Sequence, residues 1–296
     1  MSNKYDKMDI DIDALFENNH SVSDKKFPGY LGRMVNRYWS ALLIKLGLYS
    51  RMVDAGIICG WFVEFKDYWI NVLGGRPLYL HDFFYLLGVY RQRFQDVETP
   101  QVASVADFLD SWQNKDTVYM LFGAVRKYAY EPLNALFYEK WISHGDSVME
   151  YGCGIAPVTY SLLKYGLKRN LRISVGDIRQ INSHYAKMRL QGKVKFIEIE
   201  PYKESLADKK FDVVLMITVL EHLPDPLAVI QNIVRHLEAK GILIFDYILG
   251  DGDGQDTLEA VQQRGAVVDF LKENFDVYHG KLLKDQSMGT TVCQLR

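Results

Sequence analysis

Along residues 28–142, apolar and aromatic positions recur at three- and four-residue intervals, as in "RMVNRYWSALLIKLGLY", "LHDFFYLLGVYRQRF", "SVADFLDSWQ" and "TVYMLFGAVRKYAYEPLNALFYEKWI". That spacing lines one face of a helix, so the stretch predicts an α-helical domain without strands. After "SHGD" at 143–146 the texture changes. Short β-branched runs, "SVMEY", "RISVGD", "VKFIEIE", "FDVVLMI", "GILIFDY", "FDVYHG" and "TTVCQLR", now alternate with helical segments. Such alternation predicts an α/β domain over 143–296, a mainly parallel sheet covered by helices, with the boundary near Ile142. Residues 1–27 read as a polar tail.

Two details sharpen the picture. In "PDPLAVIQNIVRHLEAKG", Asp225 is placed to cap a helix with Pro226 at its first position and Gly241 at its end, giving a stripe of Leu227, Ile230, Val234 and Leu237. Between "FDVYHG" and "TTVCQLR" lie only Lys281 to Gly289, too few for a helical crossover, so the last two strands are expected to pair antiparallel. A parallel sheet that finishes in an antiparallel hairpin is not the dinucleotide-binding plan.

Composition narrows the function classes. A formal charge of −2 argues against a nucleic-acid partner, which would call for excess Lys and Arg. Cys59, Cys153 and Cys293 are too few and too far apart for a disulfide framework or a CxxC metal site, which fits a reducing cytoplasm. The acidic N-terminal stretch lacks the basic patch and apolar core of a secretory signal. No apolar run reaches the roughly 18 residues of a membrane span. "AGIICGWFVEF" at 55–65 reads as a buried helix segment rather than a membrane contact.

The candidate chemistry begins at the turn Gly152-Cys153-Gly154-Ile155-Ala156-Pro157, between a strand ending at Glu150 and a helix opening near Pro157. Pro157 stands where a dinucleotide loop has its third glycine, and it removes an N–H that a pyrophosphate would use. A ligand without pyrophosphate can still lie against the two glycines. Asp177, ending the second strand, is placed to accept both hydroxyls of a ribose. Glu200, ending the third, stands beside Pro201 and Tyr202, a flat apolar surface for an adenine. Each acid alone reads as a solvated strand end; three in succession above a glycine turn read as one ligand crevice.

Over roughly 140–296 the sequence resembles the class I S-adenosylmethionine-dependent methyltransferases. "VMEYGCGIA" is similar to their acid-x-Gly-x-Gly loop, "VGDI" to their ribose-binding strand end, and "FDVVLMITVLEHLPDP" to their fourth strand and following turn. The resemblance implies a Rossmann-like seven-stranded sheet with a terminal antiparallel hairpin. It implies S-adenosylmethionine as cofactor and S-adenosylhomocysteine as product. Glu150, Gly152, Cys153 and Gly154 would hold the methionine part, Asp177 and Ile178 the ribose, and Glu200, Pro201 and Tyr202 the adenine, with Ile217, Thr218, Val219 and Leu220 flanking the sulfonium. Ala156 departs from the glycine the family commonly places there.

A sulfonium methyl is already electrophilic, so positioning in a dry site matters more than strong catalysis, and a base is needed only where the nucleophile loses a proton. His222 is a candidate base or, equally, a turn histidine. Related ubiquinone-pathway O-methyltransferases carry acid-x-x-acid-His here, a metal-recruiting pattern; Thr218 stands where the first acid would, so no metal is expected. Tyr247, with Asp246, ends the fifth strand as a candidate acceptor contact. "GDGDGQD" lacks EF-hand spacing and reads as a surface or active-site loop. The helical domain is open to three roles: acceptor pocket or lid, domain core, or dimerisation through its aromatic surface. The expected reaction is methylation of a small-molecule acceptor, oxygen favoured over nitrogen, with no integral membrane contact. The alternative is a non-catalytic protein of the same fold that binds a partner through its helical domain.

Overall fold

The computed structural model describes residues 30–96, 112–113, 117–131, 133–201, 203–250 and 256–296. The tail at 1–27, most of "SVADFLDSWQ", Tyr202 and most of "GDGDGQD" lie outside them. The chain divides into two compact units, Met1–Phe94 with Val125–Ala129, and Gln95–Ala124 with Tyr130–Arg296. The change of texture near Ile142 falls just ahead of the first strand, while the sheet's unit also takes in chain upstream of it.

The first unit contains α1 (Tyr30–Lys45), α2 (Tyr49–Asp54), α3 (Gly60–Asp67) and α4 (Leu80–Asp96). The chain leaves α3 through a π-helical turn, Tyr68–Val72. Its core is aromatic: Phe62, Phe65, Tyr68, Trp69 and Phe83 are all buried. Phe65 meets Phe83 edge to face at 5.0 Å and stacks on Trp69 at 6.1 Å. Residues three and four apart on a helix share a face, so "GWFVEFKDYW" delivers these rings to one side. Of the 55–65 stretch, Phe62 and Phe65 are buried as expected, but Ile57 is exposed.

Helix α5 (Val118–Lys127) and the short α6 (Leu133–Leu136) lead to the sheet. Its strands are β1 (Ser147–Tyr151), β2 (Arg172–Asp177), β3 (Lys195–Glu198), β4 (Phe211–Met216), β5 (Leu237–Tyr247), β6 (Phe275–His279) and β7 (Met288–Leu295). Their order is β3-β2-β1-β4-β5-β7-β6. The first five run parallel, while β7 is antiparallel to both β5 and β6, the hairpin the short connection demanded. Consecutive strand residues point to opposite faces, and both faces are apolar. Met149, Val214, Leu243 and Phe245 pack with α9 (Pro226–Arg235) and α10 (Leu258–Asn274) through Ile230, Ile233, Val267 and Leu271. Val148, Val175, Val213, Leu215 and Ile244 pack with α7 (Pro157–Tyr165) and α8 (Ile181–Leu190) through Val158, Leu162, Ala186 and Leu190. Burying each such aliphatic side chain contributes about 1.5–3 kcal/mol.

One expected boundary is corrected. The Asp225 carboxylate does accept the Ala228 N–H at 3.1 Å and Pro226 does open α9, but the helix ends at Arg235 rather than near Gly241. The Phe211 N–H donates to the His236 carbonyl at 2.8 Å, and Leu237 enters β5 opposite Phe211. Sheet pairing therefore outcompetes helix continuation. Gly241 lies inside the strand, and the helix's buried residues are Pro226, Ile230 and Ile233, with Leu227 and Val234 half-buried beside them.

Candidate functional site

The strand order reverses between β1 and β4, so the loops after these two strands diverge at the carboxyl edge and leave a crevice. On the β1 side, Glu150 is buried, and its carboxylate accepts the Val158 and Thr159 N–H groups at 3.3 and 2.8 Å. It thus satisfies the N-terminus of α7, whose first residue is a proline with no N–H to offer. Burial pushes the Glu150 carboxyl up to about 7, against the pull of those hydrogen bonds.

The two glycines of the turn do different work. At Gly152, φ is +64°, and a Cβ would meet Val219 Cγ2 at 2.6 Å, so its missing side chain makes room for the β4 loop. At Gly154, φ is +53° and a Cβ would have nothing within 4 Å, so this residue opens the turn to a ligand. Cys153 is buried between them, its N–H donating to the Gly176 carbonyl at 3.0 Å and its thiol held well above the usual range by burial. Ala156 takes the left-handed conformation, φ 51° and ψ 53°, that the turn requires of whatever residue stands there. The strain of a Cβ in that region is of order 1 kcal/mol.

Asp177 is brought against this turn. Its Oδ2 accepts the Gly154 N–H at 2.6 Å, and its Oδ1 accepts the Ile178 N–H and the Gln180 side-chain amide at 2.8 and 2.9 Å. Burial raises the carboxyl to about 6. A carboxylate offers about four acceptor positions, so these bonds leave room for one further donor. Holding both hydroxyls of a ribose therefore requires one present donor to yield, and the Gln180 amide is the one on a rotatable side chain.

Strand β3 ends at Glu198, two residues short of Glu200. The Ile199 N–H still donates to the Asp177 carbonyl at 2.8 Å, so Glu200 leaves the sheet beside the second strand's acid. Its side chain is 59% exposed and ion-paired with Lys203, while Pro201 is half-buried.

Across the crevice, Ile217 and Thr218 follow β4. Thr218 has φ 55°, uncommon for a β-branched residue, and its N–H donates to Asp246 Oδ1 at 2.6 Å. Strain of this kind persists only where surroundings enforce it, and it clusters at functional loops. Next, Glu221 is buried, its Oε2 has no hydrogen-bond partner among the described residues, and burial raises its carboxyl to about 7. His222 Nδ1 lies 3.2 Å from Asp256 Oδ1, and its ring meets Trp112 edge to face at 5.6 Å. Gln113, beside that tryptophan, donates its side-chain amide to the Arg179 carbonyl at 2.8 Å. Residues 112–113 therefore touch the loop after β2 and the loop after β4.

Tyr247 is a correction. Its side chain is 1% exposed, its hydroxyl donates to the Ala260 carbonyl at 2.5 Å, and the Arg264 guanidinium lies 4.4 Å over its ring. It is a core residue that ties β5 to α10, not an acceptor contact. Sequence reasoning missed Asp256 as the partner of His222, and the Trp112–Gln113 pair. Both stood in quoted stretches, "GDGDGQD" read as a surface or active-site loop and "SVADFLDSWQ" read as a helix, and neither was connected to His222.

Residues 149–245 match the family model described as a methyltransferase domain. That match, spanning about a third of the chain, supports a class I S-adenosylmethionine-dependent methyltransferase domain in the sheet. Its cofactor is S-adenosylmethionine. The open face at Gly154 and the buried Asp177 carboxylate fit that group: one admits an amino-acid moiety against backbone, the other takes a ribose hydroxyl. Among curated relatives, the methyltransferase is 29% identical over 105 residues to a ubiquinone biosynthesis O-methyltransferase of Histophilus somni, covering 34% of this chain and 44% of that one. It is 26% identical over 157 residues to the enzyme of that name from Rickettsia akari, covering 51% and 61%. The chain thus spans about half the length of these relatives. Among solved structures it is similar to a 1,6-didemethyltoxoflavin-N1-methyltransferase of Burkholderia thailandensis, with 16% identity, a TM-score of 0.44, and coverage of 67% of this chain and 93% of that one.

Proposed function

We propose that this methyltransferase moves the S-adenosylmethionine methyl to an oxygen of a small-molecule acceptor in the cytoplasm. The observation that carries the choice of oxygen is the His222–Asp256 pair on the β4 side of the crevice. A hydroxyl nucleophile must lose its proton as the new bond forms. Asp256 fixes Nδ1 as the donor nitrogen of His222, which makes Nε2 the nitrogen able to take that proton. The names of the curated relatives, O-methyltransferases both, point the same way.

The cofactor, when bound, supplies an electrophilic sulfonium methyl. The chain's own contribution is positioning. Gly152 and Gly154, with Cys153 between them, present backbone to the methionine part; Glu150 keeps that turn in shape by holding the α7 N-terminus. Asp177, with Ile178 beside it, takes the ribose, and Glu200, Pro201 and Tyr202 border the adenine. Ile217 and Thr218 line the reacting centre, where Thr218 is held in its strained geometry by Asp246. His222 accepts the acceptor's proton, and Trp112 packs against its ring.

Calorimetric titration with S-adenosylhomocysteine, followed by a phenol-and-amine acceptor screen read by mass spectrometry, tests this. Saturable binding lost in Asp177→Ala, with methylated phenols that need His222, is the expected result. Binding without turnover of any acceptor would favour the non-catalytic partner-binding reading instead. Turnover of amines alone, indifferent to His222, would overturn the choice of oxygen.

A further inference from the structure

The helical unit carries an exposed apolar surface that methyl transfer does not use. In α1 and the turn after it, Tyr38 (69% exposed), Trp39 (57%), Leu42 (47%), Ile44 (62%) and Leu46 (59%) face solvent. Tyr38, Trp39 and Leu42 share one side of α1, with Ile44 on another, and such a cluster marks an interaction face rather than scattered surface residues. Over α1 and α2, residues 30–54, the sequence holds four cations, Arg33, Arg37, Lys45 and Arg51, against one acid, Asp54. Lys45 and Arg51 are exposed, and Lys45 stands three positions after Leu42, on the same side of α1. The whole chain has a formal charge of −2, so this cationic stretch runs against the average.

We infer that α1 docks on an anionic lipid-bilayer surface, lying in the interface with Trp39, Tyr38 and Leu42 among the acyl chains and Lys45 and Arg51 at the headgroups. Aromatic and aliphatic residues accompanied by cations are the composition of interfacial helices, in which buried apolar area and attraction to anionic lipid act together. A second copy is the weaker occupant. A symmetric contact sets the face against itself, bringing together two copies of a stretch that holds four cations and one acid, Asp54, over 30–54. A bilayer span is a different matter: no described helix is long and apolar enough for one. The inference does not depend on the acceptor or on the reaction.

The test is co-sedimentation of the full chain with phosphatidylcholine vesicles, with and without about 30 mol% phosphatidylglycerol. The expected result is binding to the anionic vesicles only, reversed by about 0.5 M salt. Trp39→Ser with Leu42→Ser abolishes it, and Lys45→Glu weakens it at least about fivefold, the effect of one cation near the surface. Lys193→Glu, an exposed lysine of the sheet unit, leaves it unchanged. Because Trp39, Leu42 and Lys45 are exposed, far-ultraviolet circular dichroism and the melting temperature should match the parent chain. Failure to bind either vesicle would overturn the inference, as would equal weakening by Lys193→Glu. A dimer in light scattering that Trp39→Ser dissolves, with no lipid binding, would assign the face to a second copy and also overturn it.

Discussion

On the β1–β2 flank of the crevice, Glu150 accepts two backbone N–H groups and Asp177 accepts three donors. On the β4–β5 flank, Thr218 sits at φ 55° and a buried oxygen of Glu221 has no partner among the described residues. The first flank is satisfied within the protein, so it is preorganised apart from the Gln180 amide, which yields to the second ribose hydroxyl. The second stores backbone strain and an unanswered polar group, so a molecule arriving there finds something to satisfy. That asymmetry suits a site in which one ligand is the same at every turnover and the other sets the specificity.

The largest effects should come from breaking the contact that joins the flanks. Gly152→Val drives a branched side chain into Val219, where even a Cβ would lie 2.6 Å away, at a φ of +64° that valine strongly resists. Loss of cooperative unfolding and of cofactor binding is expected in a urea titration followed by fluorescence. Gly154→Ala, with open space at the same turn, should cost only about 1 kcal/mol of strain. If both variants unfold alike, the division of labour between the two glycines is wrong.

His222→Ala should lower kcat by about 100- to 10,000-fold, the usual worth of a general base, and leave cofactor affinity unchanged. Tyr247→Phe should leave kcat alone and cost about 1 kcal/mol of stability through the lost hydroxyl bond. Kinetics that respond to Tyr247→Phe and not to His222→Ala would reverse the assignment.

Affinity on the β1–β2 flank should depend on pH. Asp177 must be ionised to accept a ribose hydroxyl, so S-adenosylhomocysteine binding should weaken as pH falls through about 6. Asp177→Asn should bind about ten- to a hundredfold more weakly and lose that pH response.

Glu150 adds a stability signature of opposite sense. Its folded-state value of about 7 exceeds its ordinary 4.5, so between these limits the native state binds more protons than the unfolded chain. Its contribution is therefore fullest below about 4.5 and declines as pH rises to about 7. Glu150→Gln should flatten the melting temperature across that window relative to the parent.

The smallest expected change is favourable. Ala156→Gly relieves a Cβ at φ 51° and should stabilise by up to about 1 kcal/mol, offset by the packing lost with a fully buried methyl. Thermal unfolding reads it directly.

Much of the sheet was legible because both signals that specify it are local. β-branched runs show strands, and the nine residues from Lys281 to Gly289 exclude a crossover. Gly152, Gly154 and Asp177 were legible as a group because the turn and the strand end each leave a mark in composition. What was hidden depends on which way a side chain points. Tyr247 ends a strand at the ligand edge, yet the alternation of β5 carries it into the core, while its neighbour Asp246 reaches Thr218. The pairing of His222 with Asp256, 34 positions apart, joins two loops that no periodicity connects. Likewise Gly241 looked like a helix stop until sheet pairing claimed the chain at Leu237.

The placement of β7 bears on how the molecule is made. Met288–Leu295 lies between β5 and β6, so an interior position next to the sheet's edge is filled by the last strand in chain order. As the polypeptide emerges during synthesis, β5 presents an open edge rich in Ile242, Leu243, Ile244 and Phe245 until β7 arrives to cover it. A nascent chain in that interval is a template for association with its neighbours. Slow translation through 248–287, or a stall within it, should therefore raise the insoluble fraction more than an equal delay earlier in the message.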